Sequence, residues 1–363
     1  MNIRIAVVGL GWAARTIWLP RLNRHSDLVV TAVVDPNPAA RAAADLGATV
    51  RVFQQPEEIT SDVADLAIVA VPNNAHCAVA SGLLRRAVSV FLEKPVCLSS
   101  VEAEELASAE KEGGAVLIAG SAARYRADVA ALRQLVTSVG RIRHVQLAWV
   151  RARGVPGSGW FTRRSLAGGG ALVDLGWHLL DVVLPMLGPV VFDEVIGTIG
   201  HDFVNQSTSQ ASWKIDNSNT SGAPYGDVED TARGFLVTDT GVSISLHASW
   251  ASHTTHDTTT IEMHGSDGIA TLRCTFGFSP NRAGGSRLTL SRDGQVIEVP
   301  LADEPIGTEY DRQVDALVEM LADPTSVGQT VDEARRIVDA IERIYMSALS
   351  RTANAREVVC AAP

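Results

Sequence analysis

Lysine is nearly absent from this 363-residue sequence. Lys94, Lys111 and Lys214 are the three, so 28 of the 31 basic residues are arginine, a bias expected of a GC-rich genome. Arginine does not lose its proton in a protein, whereas lysine is readily tuned, so a lysine retained at a motif position carries information. Cysteine is also scarce. Cys77, Cys97, Cys274 and Cys360 include no Cys-x-x-Cys pair and read as free thiols of a reducing cytoplasm rather than a disulfide framework. No apolar run approaches the roughly 20 residues that cross a bilayer. The opening Met1-Asn2-Ile3-Arg4 runs directly into an apolar segment ending at Gly9, without a cleavage-site pattern, which argues against a signal peptide and for a cytoplasmic protein. Positive charge is in deficit. A formal net charge of −10 argues against nucleic acid and anionic membranes as partners and permits a cationic substrate. What remains, 46% hydrophobic and 20% charged residues, is the profile of a soluble globular protein of a length natural for two domains.

The first part of the chain alternates strand and helix patterns. Strands are expected at Ile3–Val8, Leu28–Val34, Ala64–Val71, Val88–Leu92 and Ala115–Ala119, with helices from Gly9 to about Asn23, Ala39 to about Leu46 and Ser100 to Glu112. That order implies a doubly wound parallel sheet. After about residue 125 the pattern changes. Strands are expected at His144–Arg151, Asp193–Ile199, Asp230–Thr238, Val242–Trp250, Thr258–His264, Ile269–Cys274, Arg287–Ser291 and Gln295–Val299. With turns such as Asp239-Thr240-Gly241 they suggest a mostly antiparallel sheet. The fold class is thus α/β, with domains at 1–122 and 123–363; the helices expected at Glu309–Leu321 and Asp332–Ser350 are candidates to pack back on the first domain. Residues 206–226, rich in Ser, Asn, Thr and Gly, read as a long loop, and those after Arg351 as a loose tail.

Gly9-x-Gly11-x-x-Ala14 closes the first strand and opens a helix, the context that makes a dinucleotide fingerprint specific. Gly9 permits the turn, Gly11 lets the backbone approach a pyrophosphate, and Ala14 allows close helix–strand packing; Trp12 and Ala13 complete the turn. Asp35, 21 residues beyond Ala14 at the end of the second strand, is placed to accept from the adenosine ribose hydroxyls. A 2′-phosphate beside it meets a repulsion of roughly 4 kcal/mol at about 4 Å and an intermediate dielectric, which predicts NAD over NADP.

Glu93-Lys94-Pro95 ends another strand of the parallel sheet, at the edge where such folds bind ligands, with a proline able to take the cis form. The Lys94 ammonium can donate to an alcohol or carbonyl oxygen and stabilise charge developing there. Further on, Gly168-Gly169-Gly170 precedes a helical pattern in which Asp174, His178 and Asp181 fall on one face of an otherwise apolar helix. A histidine there can take a hydroxyl proton as hydride leaves the same carbon, and Asp174 can orient the substrate or raise the basicity of His178. No third ligand at a persuasive spacing supports a metal, and His253 and His256, on a strand, are set aside.

Together these residues resemble the Gfo/Idh/MocA oxidoreductases, a family that includes glucose–fructose oxidoreductase and inositol dehydrogenase. The resemblance also rests on Val71-Pro72-Asn73-Asn74-Ala75-His76, Val228-Glu229-Asp230-Thr231-Ala232 and His264-Gly265-Ser266-Asp267-Gly268, and covers almost the whole chain. It implies a Rossmann domain and a second domain on a large open sheet that packs against another subunit, as a homodimer or homotetramer. It implies hydride transfer at a ring carbon of a sugar or cyclitol, Lys94 and His178 sharing the acid–base work with Asp174 on the substrate. Pro72, Asn73, His76 and Glu93 would line the nicotinamide end. Val71 stands where threonine is usual, and Ala122-Ala123-Arg124-Tyr125 keeps one of two arginines, with Arg126 as a substitute.

Arg124, Tyr125, Trp160 and Arg163 are further substrate candidates, with Arg164 beside them; Trp160, Trp213 and Trp250 read as core or interface residues or as rings that stack on a sugar face. The expected function is NAD-dependent oxidation or reduction of a sugar, cyclitol or aminoglycoside-like ring. The arginine bias, read as actinomycete-like, adds antibiotic-sugar biosynthesis as a setting. Asp202, Asp216, Asp227 and Glu229 are candidate partners for substrate ammonium groups. A redox-neutral enzyme that recycles its NAD while cleaving glycosides, and a non-enzymatic NAD-binding sensor, are the rival readings.

Overall fold

Ile5–Val8 and Leu66–Val69 are at most 2% exposed, the two-sided burial of strands sandwiched between helices. The computed structural model describes residues 2–44, 46–47, 49–157, 159–211 and 226–360. Strands β1 (Ile3–Val8), β2 (Leu28–Val34), β3 (Arg51–Phe53), β4 (Leu66–Val69), β5 (Ser89–Leu92) and β6 (Leu117–Ala119) form a six-stranded sheet in the order β3-β2-β1-β4-β5-β6. All its pairs are parallel. The order reverses between β1 and β4, so the ligand crevice of this topology lies beyond their C-terminal ends. Helices α1 (Leu19–Leu22), α2 (Pro38–Ala42), α3 (His76–Arg85) and α4 (Ser100–Gly113) connect the strands. Capping fixes α4 at both ends: Ser99 accepts from the Glu102 N–H, and Gly114, at φ +60°, ends the helix in the left-handed region.

The second sheet has eight strands: β7 (Ile142–Val150), β8 (Phe192–Gly200), β9 (Thr231–Thr238), β10 (Ser243–Ser249), β11 (Thr258–Gly265), β12 (Ile269–Cys274), β13 (Arg287–Arg292) and β14 (Gln295–Val299). Their order is β14-β13-β12-β11-β7-β10-β9-β8. The pairing is antiparallel throughout except for β7 with β10. Alternation is regular. Val145, Leu147 and Trp149 of β7 are buried in register with Ile244, Leu246 and Ala248 of β10 on one face, while His144 and Gln146 of β7 and Ser243, Ser245 and His247 of β10 take the other. Helices α5 (Ala127–Val136), α6 (Arg164–Ala167), α7 (Trp177–Leu187), α8 (Thr308–Ala322) and α9 (Gln329–Cys360) complete the chain.

Two compact units result, one of Met1–Ala122 with Thr308–Arg335, the other of Ala123–Gly307 with Arg336–Pro363. Within the first, α8 lays Tyr310 edge-on against Trp18 at 5.7 Å, and Gln313 donates to the Ala119 carbonyl at 2.9 Å.

Several local expectations are corrected. Helices α3 and α5 had no counterpart in the sequence reading. The helix expected after Gly9 opens as a π turn over Ala14–Trp18, and the helix bearing Asp174 opens as another over Leu172–Gly176. Wider turns of this kind concentrate at functional sites. The expected loose tail is helical, since α9 continues to Cys360. Arg164–Leu187 is long and apolar enough to span a bilayer by length and composition, contrary to the expectation that no run is; 72% of its most apolar window is buried inside the fold, as for a core helix. Trp213, Asp216 and most of the expected 206–226 loop lie outside the described residues.

Candidate active site

In the first unit the glycine turn after β1 has the form a pyrophosphate needs. Gly9 sits at φ +88°, and a Cβ there would lie 2.5 Å from the Ala70 carbonyl oxygen, so conformation and space both require glycine. A Cβ on Gly11 would meet nothing within 4 Å, which leaves the approach to the backbone open. Trp12 is exposed, Ala13 half-buried and Ala14 fully buried against the sheet. Asp35 ends β2 and its carboxylate accepts the Leu10 N–H and the Asn37 N–H, both at 2.8 Å. The ribose-binding candidate is thus tied to the glycine turn itself. Arg41, the nearest downstream arginine, is turned onto the Asp35 and Pro36 carbonyls. These features fit a dinucleotide whose pyrophosphate meets the turn and whose ribose meets Asp35.

The loops after β4 and β5 are bound to each other. His76 is 1% exposed, with Nδ1 2.7 Å from the Pro95 carbonyl and Nε2 3.0 Å from the Val71 carbonyl. It therefore braces the Val71-Pro72-Asn73 turn against the Lys94–Pro95 peptide, which is cis. Burial, and more weakly the nearby Lys94 charge, lowers its pKa from the ordinary value against the opposing effect of the two carbonyl contacts. Pro72 is exposed, Val71 half-buried and Asn73 buried. Glu93 is held by the Trp18 indole, whose Nε1 donates to Oε1 at 2.8 Å, and its Oε2 accepts the Lys94 N–H at 3.2 Å. Trp18, which sequence reading missed, is in place because the π turn and the flanking Phe91 and Tyr310 rings seat it there. Lys94 itself is half-buried at the end of this brace.

In the second unit, Asp174 and His178 are the two residues of 171–184 that are not buried. The helix thus opens at the positions the sequence pattern picked out. Asp181, expected to share that stripe, is 3% exposed and pairs with Arg124, which donates to its carboxylate at 2.7 Å and to its carbonyl at 2.9 Å. The Arg124 guanidinium, a substrate candidate, is thereby tied to the helix. Arg126 is engaged by Asp128, with Nη2 2.5 Å from Oδ2. The buried Trp250 indole donates to Asp174 Oδ2 at 2.9 Å, so of the two readings, core residue or sugar platform, Trp250 takes the core one and anchors Asp174. Arg151 Nη1 lies 4.0 Å from the same oxygen and its guanidinium 5.0 Å from the Trp149 ring. Burial works against the Arg151 charge while Asp174 and Asp257 support it. Trp149 in turn packs at 5.6 Å against His178. Trp160 stacks on Phe161 at 4.1 Å, Tyr125 is half-buried and Arg163 exposed. Glu229, a candidate for a substrate ammonium, is 0% exposed and occupied by backbone N–H groups, so no ligand reaches it. Asp227 accepts the Arg164 N–H at 2.6 Å, and Asp230 accepts those of Phe203 and Val204.

A nucleotide-binding parallel sheet followed by an open sheet with this helix defines a class of oxidoreductase, and the comparisons agree. Residues 3–121 match the model described as the oxidoreductase family, NAD-binding Rossmann fold, of GFO/IDH/MocA, and residues 129–271 match the GFO/IDH/MocA C-terminal domain. The chain belongs to this family, and it is an NAD-binding oxidoreductase. It is 54% identical over 349 residues, 96% of each chain, to an Amycolatopsis mediterranei (strain S699) protein named "Putative UDP-kanosamine synthase oxidoreductase subunit". It is 28% identical to the D-glucoside 3-dehydrogenase of Escherichia coli (strain K12) over 67% of this chain and 71% of that one. The solved aldose-aldose oxidoreductase from Caulobacter crescentus shares the fold with a TM-score of 0.74 at 22% identity, covering 96% of this chain and 98% of the other.

Proposed function

We propose that this chain oxidises a ring hydroxyl of a nucleotide-linked hexose to a ketone, at the carbon that later bears the amino group of a kanosamine-type sugar. The observation that carries this reading is the 54% identity across 96% of both chains to the UDP-kanosamine synthase relative, joined to a sequence that keeps Lys94, Asp174 and His178. Kanosamine carries its amino group at carbon 3, and position 3 is also the one named for the glucoside relative. NAD, when bound, accepts the hydride. The chain's own residues supply the rest. His178 takes the hydroxyl proton, Lys94 donates to the oxygen as its bond order changes, and Asp174, held by Trp250, fixes the sugar. His76, Glu93 and Trp18 hold Lys94 in place.

The outer face of the second sheet fits a further copy of the chain. Ile196 and Phe235 are 43% and 44% exposed and lie opposite each other in register on β8 and β9. We place this homo-oligomer in the cytoplasm, where the buried thiols of Cys77, Cys97 and Cys274 stay reduced. Phe235→Glu then yields a smaller species in light scattering; an unchanged mass contradicts that interface.

The test of function is a panel of UDP-glucose, dTDP-glucose, free hexoses, inositols and aminoglycosides with NAD, with hydroxylamine to trap a ketone. NADH formation with UDP-glucose that is lost in Lys94→Ala supports the proposal. NADH formation confined to inositols or aminoglycosides, or turnover without any NADH, overturns it.

A further inference from the structure

The glycine run Gly168-Gly169-Gly170 leads into the helix of Asp174 and His178, and one buried glutamate meets it. The Glu229 carboxylate accepts the Gly170 N–H at 3.0 and 3.1 Å and the Leu172 N–H at 3.0 Å. Its carbonyl accepts the Ala171 N–H at 3.0 Å. Three successive N–H groups that a helix start leaves without intrahelical partners therefore all end on one residue. The Tyr345 hydroxyl, 116 positions further along on α9, donates to Glu229 Oε1 at 2.8 Å. Arg164 completes the set, with Nη2 3.6 Å from Oε2 and its guanidinium 5.1 Å from the Tyr345 ring. The glycines are what let these groups approach. A Cβ on Gly170 would lie 1.8 Å from the Glu229 carbonyl oxygen, and one on Gly169 2.1 Å from the Tyr345 hydroxyl.

Burying a carboxylate is costly unless its hydrogen bonds are met, and an exposed Ser or Asp satisfies an ordinary helix start without that cost. Burial pushes the Glu229 carboxyl pKa up, against the bonds from Leu172, Tyr345 and Gly170. Asp174 N–H bonds to the Gly170 carbonyl at 2.9 Å, so the residue Glu229 grips begins the turn that carries Asp174.

We infer that Glu229 and Tyr345 are positioning residues that set the placement of Asp174 and His178 for the hydride-transfer reaction without touching the substrate. This rests on Asp174 and His178 acting on the substrate, as proposed above. It gives α9 a part in the reaction and explains why a tyrosine far from every motif meets the glycine run.

The variants are Tyr345→Phe, which removes one hydroxyl, Glu229→Gln, which keeps the shape, and His178→Ala as reference. Each is assayed as full-length protein with NAD and UDP-glucose, and the His178 imidazole of the first two is titrated by NMR, which needs no substrate. Displacing reacting groups by about 1 Å costs up to roughly a hundredfold in rate. Tyr345→Phe and Glu229→Gln are therefore expected to lower kcat by about ten- to a hundredfold and to move the His178 titration midpoint. NAD affinity is expected to stay at the wild-type value, and both variants to remain folded at the assay temperature, with the melting temperature lowered by several degrees through the lost buried hydrogen bonds. Wild-type kcat and an unmoved His178 titration in both variants overturn the inference, as does a kcat loss that merely follows a lost fold. Should UDP-glucose prove inert, the NMR titration alone decides. Full turnover by His178→Ala overturns the catalytic assignment and the clamp with it.

Discussion

The two units hold their reactive side chains by different means. In the first, Lys94 sits on a strand-end turn held largely through backbone groups: His76 braces the adjacent turns through the Pro95 and Val71 carbonyls, and Glu93, itself gripped by the Trp18 indole, accepts the Lys94 N–H. In the second, Asp174 and His178 stand on a helix whose supports come from afar, with Trp250 on Asp174 and Glu229 and Tyr345 on the glycine run. A turn can be positioned through its exposed carbonyl and N–H groups. A helix has no local device that fixes its rotation or its axial position, so distant side chains must do it.

Substitutions at the two reactive residues carry the largest expected effects. Lys94→Ala and His178→Ala are each expected to lower kcat by about 10²–10⁴, the range of general acid–base catalysis, measured by NADH formation under saturating substrate. A loss confined to one of them removes the other from the proton chemistry. Next in size is Asp35→Ser. Removing that carboxylate relieves its repulsion of a 2′-phosphate and is expected to shift the NADP-to-NAD preference on the order of a hundredfold, read from the two dissociation constants. Equal affinity of the wild type for both cofactors contradicts the role given to Asp35. Trp250→Phe keeps the ring and removes the donor to Asp174. A bond to a charged group of this kind is worth about 1.5 kcal/mol or more, so kcat/KM is expected to fall about tenfold with NAD affinity unchanged.

The smallest effect concerns pH, and each unit has its own case. Burial lowers the pKa of His76 in the first unit. In the second, burial and then Arg233 bring His247 from 6.5 down to about 4. For a histidine depressed in the folded state, the unfolded chain binds more protons below its ordinary value, so stability is full above about 6.5 and is lost as pH falls toward the folded value. Melting temperature is therefore expected to drop between pH 6.5 and 4, and less steeply in His247→Asn. An identical slope in that variant removes His247 from the account.

The same contrast governs what the sequence made legible. The parallel sheet, the Gly9 turn, Asp35 and the Glu93-Lys94-Pro95 turn are local patterns, and the structure places them as those patterns imply. Asp174 and His178 are legible too, because two polar positions interrupt an apolar helix. Their supports are not. Trp250 reads as a sugar platform until its indole is seen on Asp174, and Glu229 reads as a ligand for a cation until its burial is known. Tyr345 carries no local signal at all, and neither does Trp18, which reaches Glu93 through a π turn that a 3.6-residue period does not anticipate. Arg124 illustrates the limit from the other side: a motif position suggested a substrate contact, and its partner is Asp181.

Hydride transfer from a defined ring carbon is read out by label transfer. UDP-glucose deuterated at carbon 3 is incubated with stoichiometric enzyme and NAD, and the cofactor is recovered for mass spectrometry. Deuterated NADH is expected from the wild type, forming about a hundredfold or more slowly with His178→Ala or Lys94→Ala. Unlabelled NADH, or NADH labelled only when another ring carbon carries the deuterium, would contradict hydride transfer from carbon 3.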